Sequence, residues 1–167
     1  MKIIKQESNI SWAPQPNELV LVETDVKPPL ELCSSAYVLA FAGDDLLMAE
    51  LDRGVDIPGG HIDPGEDPET AMRRETQEET GAIIGAASLL AVQKITVAGA
   101  KPDIYRYPYP VSYQLIYLSS DFRQGTFTKD EDSLGPVMIA RDKAADVSWL
   151  KNNWNLYELA LRKKSGG

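Results

Sequence analysis

One cysteine, Cys33, and one histidine, His61, are all that the 167 residues contain. A lone cysteine excludes an intrachain disulfide and a Cys-based metal cluster. It reads as a small buried or half-buried side chain, not as a nucleophile. A lone histidine makes no metal site by itself. No stretch approaches the roughly 20 apolar residues of a membrane span. The start, Met1-Lys2-Ile3-Ile4-Lys5-Gln6-Glu7, lacks the continuous apolar run of a secretory signal. A chain of this length builds one domain rather than two. Together these absences point to a cytoplasmic protein that does not engage a membrane.

Positive charge is scarce too, with 17 Lys and Arg against 25 Asp and Glu and a net charge of −8. Residues 50–80 hold ten acidic and three basic residues, so seven of the eight net negative charges sit there. A focused acidic segment attracts cations and repels polyanions, and long nucleic acid needs the opposite sign. A phosphorylated small molecule can still bind once cations neutralise the site.

Apolar patterning predicts strands over 19–24, 36–42, 46–51, 83–97, 111–119 and 137–140, with a hairpin turn at Gly43-Asp44-Asp45 and a bend near Gly85. A helix is expected over 68–80, with Asp67 as N-cap, Pro68 at the first helical position and Gly81 just past the end. A second is expected over 148–164, with Trp149, Leu150, Trp154, Tyr157 and Leu161 in one stripe. Residues 1–18 read as an N-terminal extension, 19–164 as one domain and 165–167 as a tail. The segment Lys101–Pro110, with three prolines, reads as a loop.

The helix over 68–80 carries the chemistry. Glu75, Glu78 and Glu79 stand at i, i+3 and i+4 and share one face. Glu78 and Glu79 occupy the last turn, where the helix dipole is already negative. A solvated helix normally places bases there. A divalent cation would relieve this repulsion, and oxygen-only ligands favour a hard ion such as Mg²⁺ or Mn²⁺.

Gly60, Glu66, Arg74-Glu75, Glu78-Glu79 and Gly81 stand at a spacing that resembles the Nudix box, G-x5-E-x7-R-E-U-x-E-E-x-G-U. All seven fixed positions match. At background frequencies of about 0.07 per residue, a chance match in this chain has odds of about one in a million. The two bulky aliphatic positions are filled by Thr76 and Ala82.

The resemblance implies an α/β fold, an α/β/α sandwich with a mixed, curved sheet, the box helix on one side and the C-terminal helix on the other. It implies that Glu75, Glu78 and Glu79 bind catalytic Mg²⁺ (or Mn²⁺) with the Gly60 carbonyl. Glu66 and Arg74 would pair to hold loop against helix. Glu75, or an acid outside the box among Asp130, Glu131 and Asp132, would activate water. Arg53, Gly59 and Gly60 are candidate substrate contacts. Arg53 reads equally well as a surface side chain, and Val55-Asp56 stands where the family often has a Trp. His61 reads as a structural residue rather than an acid–base catalyst. Tyr105, Tyr107 and Tyr109 offer stacking surfaces, Lys101 and Arg106 offer charge for a terminal phosphate, and Tyr113 and Tyr117 read as sheet packing.

The implied activity is Mg²⁺-dependent hydrolysis of a pyrophosphate bond in a nucleoside-diphosphate-linked small molecule. A MutT-like, house-cleaning nucleoside triphosphate pyrophosphatase acting on an oxidised base is the first version. A nucleotide sugar, a dinucleotide polyphosphate or an RNA 5′ end is the second. A Nudix-fold nucleotide-binding module without catalysis is the alternative of another class; such modules often lose box glutamates, and this chain keeps all of them. A homodimer is compatible with the resemblance.

Overall fold

A computed structural model of the chain describes residues 2–166. Its main sheet runs in the order β1 (Lys2–Ser8), β2 (Asn17–Glu23), β8 (Ser88–Val97), β9 (Val111–Ser119), β3 (Cys33–Ala42), β4 (Asp45–Leu51) and β11 (Ser133–Ile139). β3 and β9 pair in parallel, and the other pairings are antiparallel, so the sheet is mixed as expected. β5 (Gly54–Asp56) pairs with β4, and β6 (Gly59–His61) with the first half of β3. β7 (Ala82–Ile84) and β10 (Phe122–Gln124) form a separate ribbon.

Side chains alternate across the sheet with the period of two that strands impose. Leu39, Phe41, Leu46, Met48, Ile116 and Leu118 face one way and pack under Leu150, Leu156, Tyr157, Leu159 and Ala160 of the C-terminal helices. Ala36, Val38, Ala40, Leu47, Leu115 and Tyr117 face the other way and meet Met72 of α1 (Pro68–Thr80). Both faces of the central strands are therefore buried, which is why they read as nearly continuous apolar runs. The sandwich has the expected helix on each side.

Four expectations change. The 83–97 segment is two strands, β7 and β8, separated at Gly85. The C-terminal helix is broken into α2 (Ser148–Asn152) and α3 (Trp154–Ser165). Asn153 lies between them at φ −126°, ψ 34° and donates from its side chain to the Trp149 carbonyl at 2.8 Å. A short polar side chain that bonds nearby backbone competes with helix continuation. Residues 2–8, read as part of an extension, are an edge strand whose mostly exposed side chains give no apolar signal. β5 and β6 were invisible in the sequence because glycine, a poor strand former, supplies three of their six residues. Met1 of the expected extension and Gly167 of the expected tail lie outside the described residues.

Candidate active site

β6 places Gly60 opposite Ala36 of β3. Its predecessor, Gly59, has φ +144°, and a Cβ there would overlap the Ala36 carbonyl oxygen and stand 2.5 Å from Tyr37 Cα. Only glycine fits so close to another backbone at that dihedral. The chain then turns through 62–66 into α1, where the Asp67 carboxylate accepts from the Glu69 N–H at 2.9 Å and caps the helix. This return brings α1 against β6. A Cβ on Gly60 would stand 2.7 Å from the Glu75 carboxyl carbon.

Arg74 ties loop to helix. Its Nε and Nη2 donate to the two Glu66 oxygens at 2.9 Å each, the planar fork that suits a carboxylate. Nη1 reaches Glu75 Oε1 at 2.9 Å and both Glu78 oxygens at 3.4 Å, and Nη2 also donates to the His61 carbonyl at 3.1 Å. Asp63, not singled out in the sequence, stands 3.5 Å from the same guanidinium, and its N–H donates to Glu66 Oε1 at 3.0 Å. The Arg74 bonds hold the Glu66 carboxyl below the ordinary carboxylate range.

Two other glutamates of the box, Glu75 and Glu79, are pushed the other way. Burial raises the Glu75 carboxyl, partly offset by Arg74. Burial raises the Glu79 carboxyl to about 8, with a bond from the Gly59 N–H to Oε1 at 3.3 Å opposing it. Glu79 Oε2 is buried and has no hydrogen-bond partner. An ionised carboxylate left in this way is costly, and an unpaired buried oxygen is what a cation would satisfy. The Gly60 backbone against Glu75, the unpartnered Glu79 oxygen and the exposed Glu78 offer oxygen donors alone, the donor chemistry that a hard divalent ion takes. Among the described residues no group of three or more His, Cys, Asp and Glu already stands in position to hold an ion; Arg74 bridges Glu75 and Glu78 instead.

The two aliphatic positions of the box are fully buried. Thr76 solves its polarity by donating to the Met72 carbonyl at 2.7 Å, and Ala82 packs in the α1-side core. Arg53 is exposed and lies 3.8 Å from Asp56, while its charge acts on Glu79. Asp56, which the motif did not mark, is raised by burial and adds negative charge near Glu79.

His61 bridges β6 to the Pro-rich loop. Arg106 Nη2 lies 3.2 Å from Nδ1, and Tyr107 Oη lies 2.7 Å from Nε2. A guanidinium only donates, so Nδ1 accepts and Nε2 carries the proton. Burial, then Arg106, lowers the imidazole pKa, in keeping with a neutral ring. Asp130 lines a cleft with Arg74 and Glu78, but its Oδ1 accepts from the N–H groups of Asp132 and Ser133 at 3.0 and 2.8 Å. Tyr117 is core, and Lys101 is exposed. Cys33 is buried, and its thiol is pushed up to about 11 by burial, the opposite of a nucleophile's environment. Among the described residues no helix is long and apolar enough to cross a membrane.

A putative 8-oxo-dGTP diphosphatase, YtkD, of Bacillus subtilis (strain 168) is 40% identical over 58 residues, 35% of this chain and 37% of that protein. A MutT-like protein of Streptomyces ambofaciens is 36% identical over 81 residues, 47% of this chain and 53% of that protein. The chain thus spans about half or less of these relatives. In fold it is similar to the Bacillus subtilis pyrophosphohydrolase BsRppH, with a TM-score of 0.63, 23% identity and coverage of 92% of this chain and 96% of that one. The NUDIX domain family matches residues 32–162, from the end of the turn before β3 to α3. With the whole box helix, its loop and both sandwich faces inside that match, the chain belongs to the Nudix family.

Proposed function

We propose that this protein is a Mg²⁺- or Mn²⁺-dependent pyrophosphohydrolase that cuts a nucleoside-diphosphate-linked small molecule into two phosphorylated products. The observation that carries this reading is Glu79: its carboxyl is buried, one oxygen has no partner, and it shares a helix face with Glu75, which lies against Gly60. Glu75, Glu78, Glu79 and the Gly60 carbonyl would hold the cation. When bound, it neutralises the diphosphate oxygens and lowers the pKa of a coordinated water.

The chain's own residues do the rest. Arg74 and Glu66 fix the loop so that Gly60 stays against the helix. Arg74 also holds Glu75 Oε1, so Oε2, the oxygen nearest Gly60, is the site through which Glu75 would serve: it would take the proton of the attacking water while Glu78, Glu79 and the Gly60 carbonyl keep the cation. The water oxygen forms a bond to phosphorus, the bond to the bridging oxygen breaks, and the proton goes to the carboxylate. Arg53 at the rim would meet substrate phosphate. The activity named for the YtkD relative favours an oxidised purine nucleoside triphosphate as first substrate to test. Nucleotide sugars, dinucleotide polyphosphates and RNA 5′ ends share the same diphosphate and belong on the same panel.

The test is product analysis over that panel with Mg²⁺, with Mn²⁺ and with a chelator. Metal-dependent release of a monophosphate from one class is the expected result and names the substrate. Nucleotide binding with no turnover across the panel would overturn the enzymatic reading in favour of a binding module.

A further inference from the structure

Between the β1–β2 connection and the Pro-rich loop lies a cavity of about 190 Å³ that the chemistry of the box does not use. Trp12, Tyr37, His61, Tyr105 and Tyr107 wall it, and Ser35 lines it. Tyr105 and Tyr107 meet edge to face at 5.4 Å, and Tyr107 lies 5.3 Å from the His61 ring. Ser35 is 1% exposed; its hydroxyl makes no bond of full geometry, although it lies near enough to the Tyr37 phenol to oppose the rise that burial gives that group. An under-satisfied buried hydroxyl among aromatic rings suits a flat ligand with polar edges. The cavity is smaller than the roughly 300–1,000 Å³ of drug-sized sites, so it suits one ring system, not a whole nucleotide. Tyr37, which walls the cavity, stands close enough to Glu79 for that carboxylate's charge to act on its phenol, so the cavity adjoins the acidic face of α1.

Trp12 is 57% exposed, with most of its indole left to be covered by a ligand. It is also held in place. The buried Asn17 side chain accepts from the Ile10 N–H at 2.8 Å and donates to the carbonyls of Ile10, Ala13 and Pro14 at 3.0, 3.3 and 3.1 Å. These bonds knot the loop around Trp12. Both residues precede residue 32, outside the stretch that matches the family.

We propose that Trp12 is a specificity-determining residue: with Tyr105 and Tyr107 it receives the substrate's nucleobase, and the β1–β2 connection is part of the substrate site. The proposal rests on the hydrolysis of nucleoside-linked diphosphates and adds what distinguishes them from other diphosphates. Every base has a face to stack on an aromatic ring, whereas an inorganic polyphosphate has none.

Free nucleosides test the cavity without the box, because they carry no phosphate. Guanosine, adenosine, uridine and cytidine are titrated into ¹⁵N-labelled protein while the Trp12 indole N–H resonance is followed, assigned by its loss in Trp12→Phe. At least one nucleoside is expected to shift it saturably at millimolar concentration, and ribose 5-phosphate is not. Trp12→Ala should weaken that nucleoside about tenfold, as expected for one lost base stack, and raise KM for the corresponding substrate by a similar factor with kcat little changed. Trp12→Phe should restore most of the loss. No shift with any nucleoside, or a KM indifferent to Trp12→Ala, overturns the proposal. Nucleoside binding at Trp12 without turnover of any panel substrate would instead leave the pocket standing and remove the hydrolytic reading.

Discussion

A Cβ added to Gly60 would stand 2.7 Å from the carboxyl carbon of Glu75 and 2.8 Å from its Oε2. The obstacle is the far end of a flexible side chain, so Gly60→Ala should fold. The carboxylate must move, however, and turnover should fall at least about a hundredfold, the lower part of the range for a displaced general base. Gly59→Ala meets backbone instead, the Ala36 carbonyl and Tyr37 Cα at 2.5 Å, at φ +144°. That variant should misfold or lose several kcal/mol. Thermal melts and rates of the two variants check the contrast; equal stability losses would show that Gly60 is structural only.

Arg74 makes the fork to Glu66 and also neutralises Glu75 and Glu78. Arg74→Ala should lower stability by about 1–2 kcal/mol, below the usual value for buried charge-assisted bonds because the pair is partly exposed. Arg74→Lys keeps the charge and loses the fork. It should recover only part of that stability and little of the activity. Full recovery by lysine in urea melts would mean that charge alone matters here.

Much of this site was legible because the box fixes spacing. The boundaries of α1 follow from three local signals, Asp67, Pro68 and Gly81, and they agree with the structure residue for residue. The α/β/α layering followed from the resemblance to the Nudix box, and the apolar runs agree with it because both faces of the central strands are buried. What spacing could not give was set by distant partners. Asp56 and Asp63 reach the site only after β5, β6 and the 62–66 loop have formed. The knot at Asn17 joins side chain to carbonyls three to seven residues back, and Trp12 and Tyr105 line one cavity across a sequence gap that no local pattern marks. The break at Asn153 was hidden because the apolar stripe continues in phase across it.

Asp130 is the acid outside the box that lines the cleft with Glu78. Its Oδ1 is already engaged by two N–H groups of its own turn, an arrangement that suits loop capping. Asp130→Ala should therefore cost about 0.5–1 kcal/mol of stability and reduce kcat less than about tenfold. A general base would cost about 10²–10⁴. A loss in that range, with metal affinity unchanged, would transfer the proton-accepting role from Glu75 to Asp130.

Asn17 is 6% exposed and satisfies four backbone groups around Trp12. Asn17→Ala strips the Ile10 N–H and the Ala13 and Pro14 carbonyls of their side-chain partner, with Gln15 still reaching the Ile10 carbonyl, and should destabilise the protein by about 1–3 kcal/mol. Asn17→Asp keeps the acceptor for the Ile10 N–H but sets a charge against three carbonyl oxygens, so it should do no better. Amide hydrogen exchange of residues 10–16 should speed up in both variants. Unchanged protection would show that the loop holds Trp12 by packing alone.

Glu79 links stability to pH, with a sign that can be worked out. Its carboxyl rises from 4.5 to about 8 on folding, mainly because burial penalises the charge. The folded protein therefore binds this proton more tightly than the unfolded chain does. The stabilising effect is complete below pH 4.5, drains away as the pH climbs, and is gone above about 8. Glu79→Gln keeps the shape and cannot ionise. In chelator, the two proteins should melt together near pH 4.5, and the variant should be the more stable at about pH 8.5, by on the order of 3 kcal/mol, or several degrees in Tm. Mg²⁺ at about a thousand times its Kd should reverse the order, because a cation that binds only the folded state then adds about 4.1 kcal/mol and the neutral amide of the variant cannot supply the charge. Glu79→Gln should also abolish turnover with the fold intact. Parallel pH–Tm curves for the two proteins would mean that the Glu79 carboxylate ionises at no cost and that its buried oxygen is not waiting for a cation.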